Sequence, residues 1–432
     1  MAERRFLAWL FGTAFFSALL VAVFCFEVDP YLVFGRPRLA GINDIKTAVT
    51  RHEPMMKAYQ ASRSCGKTII LGSSRSGVGL DPDSPSWPAA LRPVYNLSVA
   101  GTNLDDSLHL LMALLADCNA EKAPTLLIVG LDFESFLNRE PAPGGMPALR
   151  NEADREQDDR LRSLAQRDRG TVASSARLWK DSAVALLTID ALADSVSTVI
   201  ASVQSAGADV LTNGKSSEWM LRQWTLADGP DVMFRQKHTL TARRFSGHHR
   251  LELASGGPAQ ALAPVAALLD LAGRHKMAVR LGVQPSHATH HELMDALGYW
   301  QDFERWKGAI ADAALAGRQS GVDVIAWDFG GYETAFQEPV PPPGDKRTPM
   351  ATFWDPVHYN TALGDRIIAN LAGGAPPDTA LGVELRPDTI AQRHQQVRRD
   401  RADWRQAHPE VVAQVLRYRC SASACLGTPP QQ

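Results

Sequence analysis

From Phe6 to Phe26 the chain runs 21 residues without a charge (FLAWLFGTAFFSALLVAVFCF), preceded by Arg4 and Arg5 and followed by Glu27 and Asp29. At about 1.5 Å per residue, a helix of that length reaches roughly 30 Å, one bilayer core. No other feature restricts the chain as strongly. A cleaved signal peptide has a shorter apolar region, about 7–15 residues, and exits through small residues. This stretch exits through Phe24-Cys25-Phe26, and bulky Phe24 also disfavours Cys25 as a lipoprotein cysteine. The expectation is a single uncleaved transmembrane anchor over residues 1–28. With arginines before the span and acids after it, the positive-inside bias puts the N-terminus in the cytoplasm and everything beyond outside, in the periplasm or its equivalent.

An oxidising compartment changes how the five cysteines read. Cys65 precedes the apolar run at Thr68, and Cys118 ends a helical stretch before the run at Thr125, so both fall at one edge of a sheet. They are either bridged or free, and so are Cys420 and Cys425. No Cys-x-x-Cys pair or Cys/His cluster is spaced for a metal, so neither metal nor cofactor is expected. With 45 Lys+Arg against 47 Asp+Glu the net charge is −2, which argues against a nucleic-acid partner.

After a juxtamembrane segment (29–66), short apolar runs recur: Thr68–Leu71, Val94–Leu97, Thr125–Val129, Val279–Val283 and Val322–Trp327. Helix-length segments separate them. Runs apolar on both alternating faces indicate strands buried on both sides of a parallel sheet. The expected fold is α/β, a doubly wound parallel sheet of about five strands, in a domain spanning 67–372.

Between the third and fourth runs lie about 140 residues that the sheet does not need, too many for a structureless loop. We read a mostly helical insertion at about 138–262, opening with an exposed connection (Glu140–Pro147 and Arg150–Arg169) and covering one edge of the sheet. It serves either substrate access or packing, and its Trp219 and Trp224 carry the same two readings. His248 and His249, with the arginines around them, are a candidate anion contact or a solvated loop. Residues 373–432 read as a charged tail, with Arg386–Arg417 as a solvated helix or helix pair.

Two motifs could carry chemistry. Leu71-Gly72-Ser73-Ser74-Arg75-Ser76-Gly77 follows the first strand run, which places a hydroxyl at the carboxyl edge of a parallel sheet, where such folds bind ligands. Far along the chain comes Trp354-Asp355-Pro356-Val357-His358. Asp and His three apart can set a carboxylate against an imidazole, the orienter and base that a serine needs before it can attack at neutral pH. Arg75 could clamp an anionic substrate or bridge to a carboxylate. His287, after the fourth run, is a candidate for lining the cleft or for a structural role, and Trp300 and Trp306 read as packing residues.

Gly72-Ser73-Ser74 resembles the first block of the SGNH (GDSL-like) hydrolases, with Ser73 where that family usually has Asp. Asn96 to Asn103 (NLSVAGTN) resembles the second block, and Asp355-x-x-His358 the closing one. The resemblance implies a flavodoxin-like sheet, Ser74 as nucleophile, His358 as base, Asp355 as orienter, and the N–H groups of Ser74 and Gly101 as oxyanion donors. The third block departs from the pattern: the family expects Gly-x-Asn-Asp, and this chain has Gly130-Leu131-Asp132-Phe133. An ionised Asp132 would repel an oxyanion, so either Asn103 or Asn96 substitutes, Asp132 is held protonated, or the site is slow or inactive. Asp132 could equally bind a substrate hydroxyl. The resemblance covers roughly 66–136 and 275–372. It implies a membrane-anchored esterase or O-acyltransferase acting on a cell-envelope or exported carbohydrate. The alternative is a non-catalytic glycan binder or scaffold of a polysaccharide export complex, with other envelope proteins as partners.

Overall fold

The computed structural model describes residues 2–118, 123–139, 159–160, 162–163, 172–246, 249–251, 260–373, 378 and 380–422. The expected connection over Glu140–Pro147 and most of Arg150–Arg169, and the Cys420–Cys425 pairing, lie outside them. The chain forms two compact units, one of residues 1–65, 109–121 and 152–220, the other of residues 66–108, 122–151 and 221–432.

The second unit is mixed α/β. In chain order its strands are β1 (Thr68–Leu71), β2 (Val94–Asn96), β3 (Leu126–Leu131), β4 (Asn138–Arg139), β5 (His249–Arg250), β6 (Ala278–Val283), β7 (Val324–Asp328) and β8 (Val383–Glu384). Six of them make one sheet in the order β2-β1-β3-β6-β7-β8, and β4 and β5 form a separate antiparallel pair. Every pairing in the large sheet is parallel except β7 with β8. Each of the five expected strands is present within two residues of its apolar run. The sixth, β8, falls in the segment read as a charged tail, because two residues are too few to show any periodicity.

Both faces of the sheet are covered, which is why its strands read as unbroken apolar runs. On one side Ile70 and Ile128 pack with Phe329, Ile367, Ile368 and Leu371, the last three from the helix Thr361–Ala372. Elsewhere in the unit, Trp306 is fully buried among Phe133, Phe136 and Phe303. Beyond β8, the described part of the tail is a helix pair that is solvated on one side only. Its helices, Ile390–Ala407 and Pro409–Ala422, bury Val397, Trp404 and Val415, and Arg393 and Arg401 reach inward to Asp328 (2.7 Å) and Glu292 (2.8 Å). Long arginine stems let a strongly charged sequence pack this way.

The first unit contains the helix Ala2–Val28, 27 residues and exposed from Ala2 to Leu20, the one helix among the described residues long and apolar enough to cross a membrane unaided. It also contains Val49–Ala61, Val172–Leu187 and Ile189–Gln204, and Cys65 and Cys118 are bridged within it, their Cα atoms 5.9 Å apart. The insertion is mostly helical where described, with Trp219–Asp228 and Pro230–Phe245 as further helices and the short strands β4 and β5 near its two ends. Trp219 and Trp224 are exposed.

Candidate active site

Parallel strands bring their carboxyl ends to one edge, and there β1, β3 and β6 each release a loop bearing polar side chains. After β1, Gly72 adopts a φ of +150°, and a Cβ there would sit 2.6 Å from Ser76 Oγ and 3.3 Å from the Gly130 carbonyl oxygen, so a side chain would block the turn. The Ser73 hydroxyl then caps the short helix Ser74–Gly79 by accepting from the Arg75 N–H. Ser74 is the first helical residue, so its N–H is one of the amide donors a helix leaves unpaired.

The second motif is a closed loop. Phe353 and Tyr359 form a β-bridge, and within it Asp355 Oδ1 accepts from the N–H groups of Val357 (2.8 Å) and His358 (2.9 Å). This Asx-turn, stiffened by Pro356, leaves Oδ2 facing the imidazole. A carbonyl bond fixes the loop from outside, since Pro356 accepts from the His287 N–H at 2.9 Å. The loop is brought to Ser74 by close helix packing: a Cβ on Gly364 would sit 1.8 Å from the Gly79 carbonyl oxygen, so the helix Thr361–Ala372 meets Ser74–Gly79 backbone to backbone.

The result is a continuous hydrogen-bonded chain. His358 Nδ1 lies 2.6 Å from Asp355 Oδ2, and His358 Nε2 lies 2.8 Å from Ser74 Oγ. Burial opposes a charge on Asp355, but the adjacent His358 and the loop amides overcome it and hold its carboxyl well below the usual range. Asp355 is therefore the acceptor and Nδ1 the donor, an arrangement that in the neutral imidazole leaves the Nε2 lone pair facing the serine hydroxyl. Asp355 is buried while Ser74 and His358 are half-buried, so the chain ends where a substrate can reach it.

Arg75, next to Ser74, points into the protein. Its guanidinium is buried and meets Glu134 Oε1 at 2.7 Å, Asp132 Oδ1 at 3.1 Å and the Ser286 hydroxyl at 3.0 Å. Of its two sequence readings, the structure has the bridge to carboxylates. His290 Nε2 adds a contact to Glu134 Oε1 at 2.6 Å. Burial works against the charge on Glu134, but Arg75 and His290 hold it well below the ordinary carboxylate range. Burial raises Asp132, and the pull of the shared Arg75 does not cancel it. Burial also lowers His290, which makes it a neutral donor through Nε2.

The remaining candidates sit as follows. Gly101 lies at an exposed turn with φ +73°, and its N–H makes no hydrogen bond to another described residue. Asn96 uses its side-chain amide on the carbonyls of Ser76 (2.9 Å) and Leu80 (2.8 Å), so it has no donor left to replace the missing asparagine. Asn103 caps the helix Leu104–Asp117, with Oδ1 accepting from the Asp106 N–H at 2.9 Å while its own N–H goes to the Asp106 carboxylate. His287 is structural: Nε2 donates to the Glu338 carbonyl at 2.7 Å, and burial lowers its pKa to about 4. Glu134, Ser286 and His290 are site residues that sequence reasoning missed. No group of three or more His, Cys, Asp or Glu placed to hold a metal occurs among the described residues.

Compared with family models, curated proteins and solved structures, the chain matches none.

Proposed function

We propose that this chain is a membrane-anchored SGNH-like serine esterase or O-acyltransferase, working outside the cytoplasm on a cell-envelope or exported carbohydrate. The observation that carries the reading is the chain Ser74 Oγ, His358 Nε2, His358 Nδ1, Asp355 Oδ2, with heavy-atom separations of 2.8 and 2.6 Å. The parallel strand order β2-β1-β3-β6-β7 supports it, being that of flavodoxin-like sheets, whose ligands sit at the carboxyl edge. Arg4 and Arg5 ahead of the apolar helix favour an outward-facing domain. The Cys65–Cys118 bridge favours an oxidising compartment.

In this mechanism Ser74 Oγ attacks an ester carbonyl as its proton passes to His358 Nε2, and Asp355 stabilises the imidazolium. The oxyanion is met by the N–H groups of Ser74 and Gly101. Collapse breaks the ester C–O bond, the leaving alkoxide takes the proton from Nε2, and the acyl group stays on Ser74. A water or a sugar hydroxyl, deprotonated by the same nitrogen, then removes it.

A second reading, a non-catalytic glycan binder or export scaffold, is favoured by Asp132, which stands where the family has its third oxyanion donor and meets Arg75 at 3.1 Å. A serine-directed fluorophosphonate separates the two. Labelling of the full chain at Ser74, lost in His358→Ala, is the result expected of the enzyme. Absence of labelling in a folded chain favours the binder.

A further inference from the structure

The helices Val172–Leu187 and Ile189–Gln204 are built inside out. A helix on a water-facing surface turns its apolar stripe inward and its polar face to solvent. Here the inward face of Ile189–Gln204 carries Asp194, Ser195, Thr198 and Ser202, all buried, and Val172–Leu187 buries Arg177 and Asp181. The outward face carries Ile189, Val196, Ile200 and Val203, a spacing of 7, 4 and 3 that keeps them on one side, and it continues through Leu187 and Trp179. Trp179 is 77%, Ile189 86% and Val203 68% exposed. Between residues 176 and 204 the only charged residues on the exposed side are Lys180 and Asp190.

The charged groups among them and Ser202 are partnered within the same unit, while the Ser195 and Thr198 hydroxyls meet no partner among the described residues. Asp194 accepts from the Tyr31 hydroxyl at 2.9 Å and pairs with Arg51, Asp181 accepts from the Tyr59 hydroxyl at 2.9 Å and pairs with Arg177 and Arg160, and the Ser202 hydroxyl accepts from the Ile45 N–H at 3.0 Å. Buried charges paired this way under an apolar exterior suit a helix whose outer solvent is not water. A second, independent fact names that solvent: both helices pack directly on Ala2–Val28, the apolar helix long enough to cross a membrane.

We propose that Val172–Leu187 and Ile189–Gln204 form a second membrane element, seated in the lipid beside the N-terminal span through their outward apolar face. Each helix has 16 residues, about 24 Å at the usual rise, short of the roughly 30 Å hydrocarbon core. The two are bent by 63° about Thr188. The element therefore lies shallowly in one leaflet without crossing it, with Trp179, Lys180 and Asp190 at headgroup depth, where aromatic and charged side chains are tolerated. The inference rests on Ala2–Val28 being a membrane span and is independent of the catalytic reading.

The test is spin-label accessibility on the full chain in lipid nanodiscs, with Cys420→Ser and Cys425→Ser removing the tail thiols. Single labels are placed by Ile189→Cys, Val196→Cys, Ile200→Cys and Val203→Cys, and at Phe16→Cys in the span as reference. All are exposed positions, so packing is undisturbed. The expected result is that the four labels, like the reference, collide more with oxygen than with a water-soluble nickel chelate. Chelate-dominated collisions at the four sites, with the reference lipid-like, overturn the proposal while leaving the anchor intact. A water-like reference overturns both. Dipolar broadening between labels on this face would assign it to a second copy of the chain, which also overturns it.

Discussion

Two polar clusters meet at consecutive residues, Ser74 and Arg75, and they are built to opposite ends. The chain from Ser74 through His358 to Asp355 has a buried anchor and a half-buried outer end. The cluster of Arg75, Asp132, Glu134, Ser286 and His290 is closed, with the guanidinium meeting three side chains and a neutral histidine holding Glu134 from behind. The first has a proton that can move toward solvent and a base with a lone pair to receive it. The second has one cation shared between two carboxyls and nothing turned outward. Identical residue types thus do different work according to which end of the network water can touch.

If that contrast is right, breaking the first cluster should cost rate and breaking the second should cost stability. The largest effect is on turnover. Ser74→Ala or His358→Ala should lower ester hydrolysis by about 10⁴–10⁶-fold, and Asp355→Asn by about 10⁴-fold through loss of the tautomer that frees Nε2. Steady-state kinetics read the loss, and thermal melting should show Ser74→Ala nearly unchanged. Unchanged hydrolysis in Ser74→Ala would remove this triad from the mechanism.

Next comes Arg75→Met. It leaves Glu134 buried without its cation, and removing one partner of a buried pair costs about 3–5 kcal/mol. Chemical denaturation should show that loss. A variant as stable as the parent, but with a raised KM, would return Arg75 to the role of substrate clamp.

How much of this contrast is visible in the chain itself depends on how local each part is. The Asp355–His358 pair could be read because an Asx-turn with a fixed proline is a four-residue event, and the strands because burial on both faces leaves unbroken apolar runs. Glu134, Ser286 and His290 gave no such signal. They meet Arg75 only because β1, β3 and β6 lie side by side, a fact of topology that no spacing encodes. The tail misled for a related reason: its arginines look solvated until Asp328 and Glu292 are known to lie beneath them. The Ala- and Ser-rich helices at 172–204 likewise read as ordinary helix, since composition does not say which face looks outward.

Acid should distinguish the clusters less sharply, because it acts on every buried histidine. Burial lowers His287 to about 4 and pushes His238, His290 and His291 down as well. A histidine whose folded pKa is depressed binds its proton more readily in the unfolded chain. Its contribution to stability is complete above the ordinary value near 6.5 and is lost as pH falls toward the folded one. Each such histidine removes on the order of 1.4 kcal/mol per pH unit in that window. Melting temperatures should therefore fall between pH 7 and 5, and His287→Gln should make the decline shallower. An unchanged slope in that variant would mean His287 is not held neutral.

The smallest effect, and the one that bears most directly on the boundary between the clusters, is expected of Asp132→Asn. Asp132 contacts the same guanidinium as Glu134, but burial raises its carboxyl while Glu134 is held low. A carboxyl kept neutral carries an O–H, and an asparagine in its place carries an N–H. Either can donate a hydrogen bond, and neither repels an oxyanion. The substitution should therefore change kcat/KM at neutral pH by less than about tenfold, against the roughly 10²–10³-fold that a true oxyanion donor is worth. Arg75 keeps Glu134, so stability should move little. The pH profile sharpens the point: the parent should lose activity as pH rises through the ionisation of Asp132, and Asp132→Asn should not. A jump in rate of 10²-fold or more on making the variant would show instead that Asp132 is an anion at working pH, and that the closed cluster suppresses the site it adjoins.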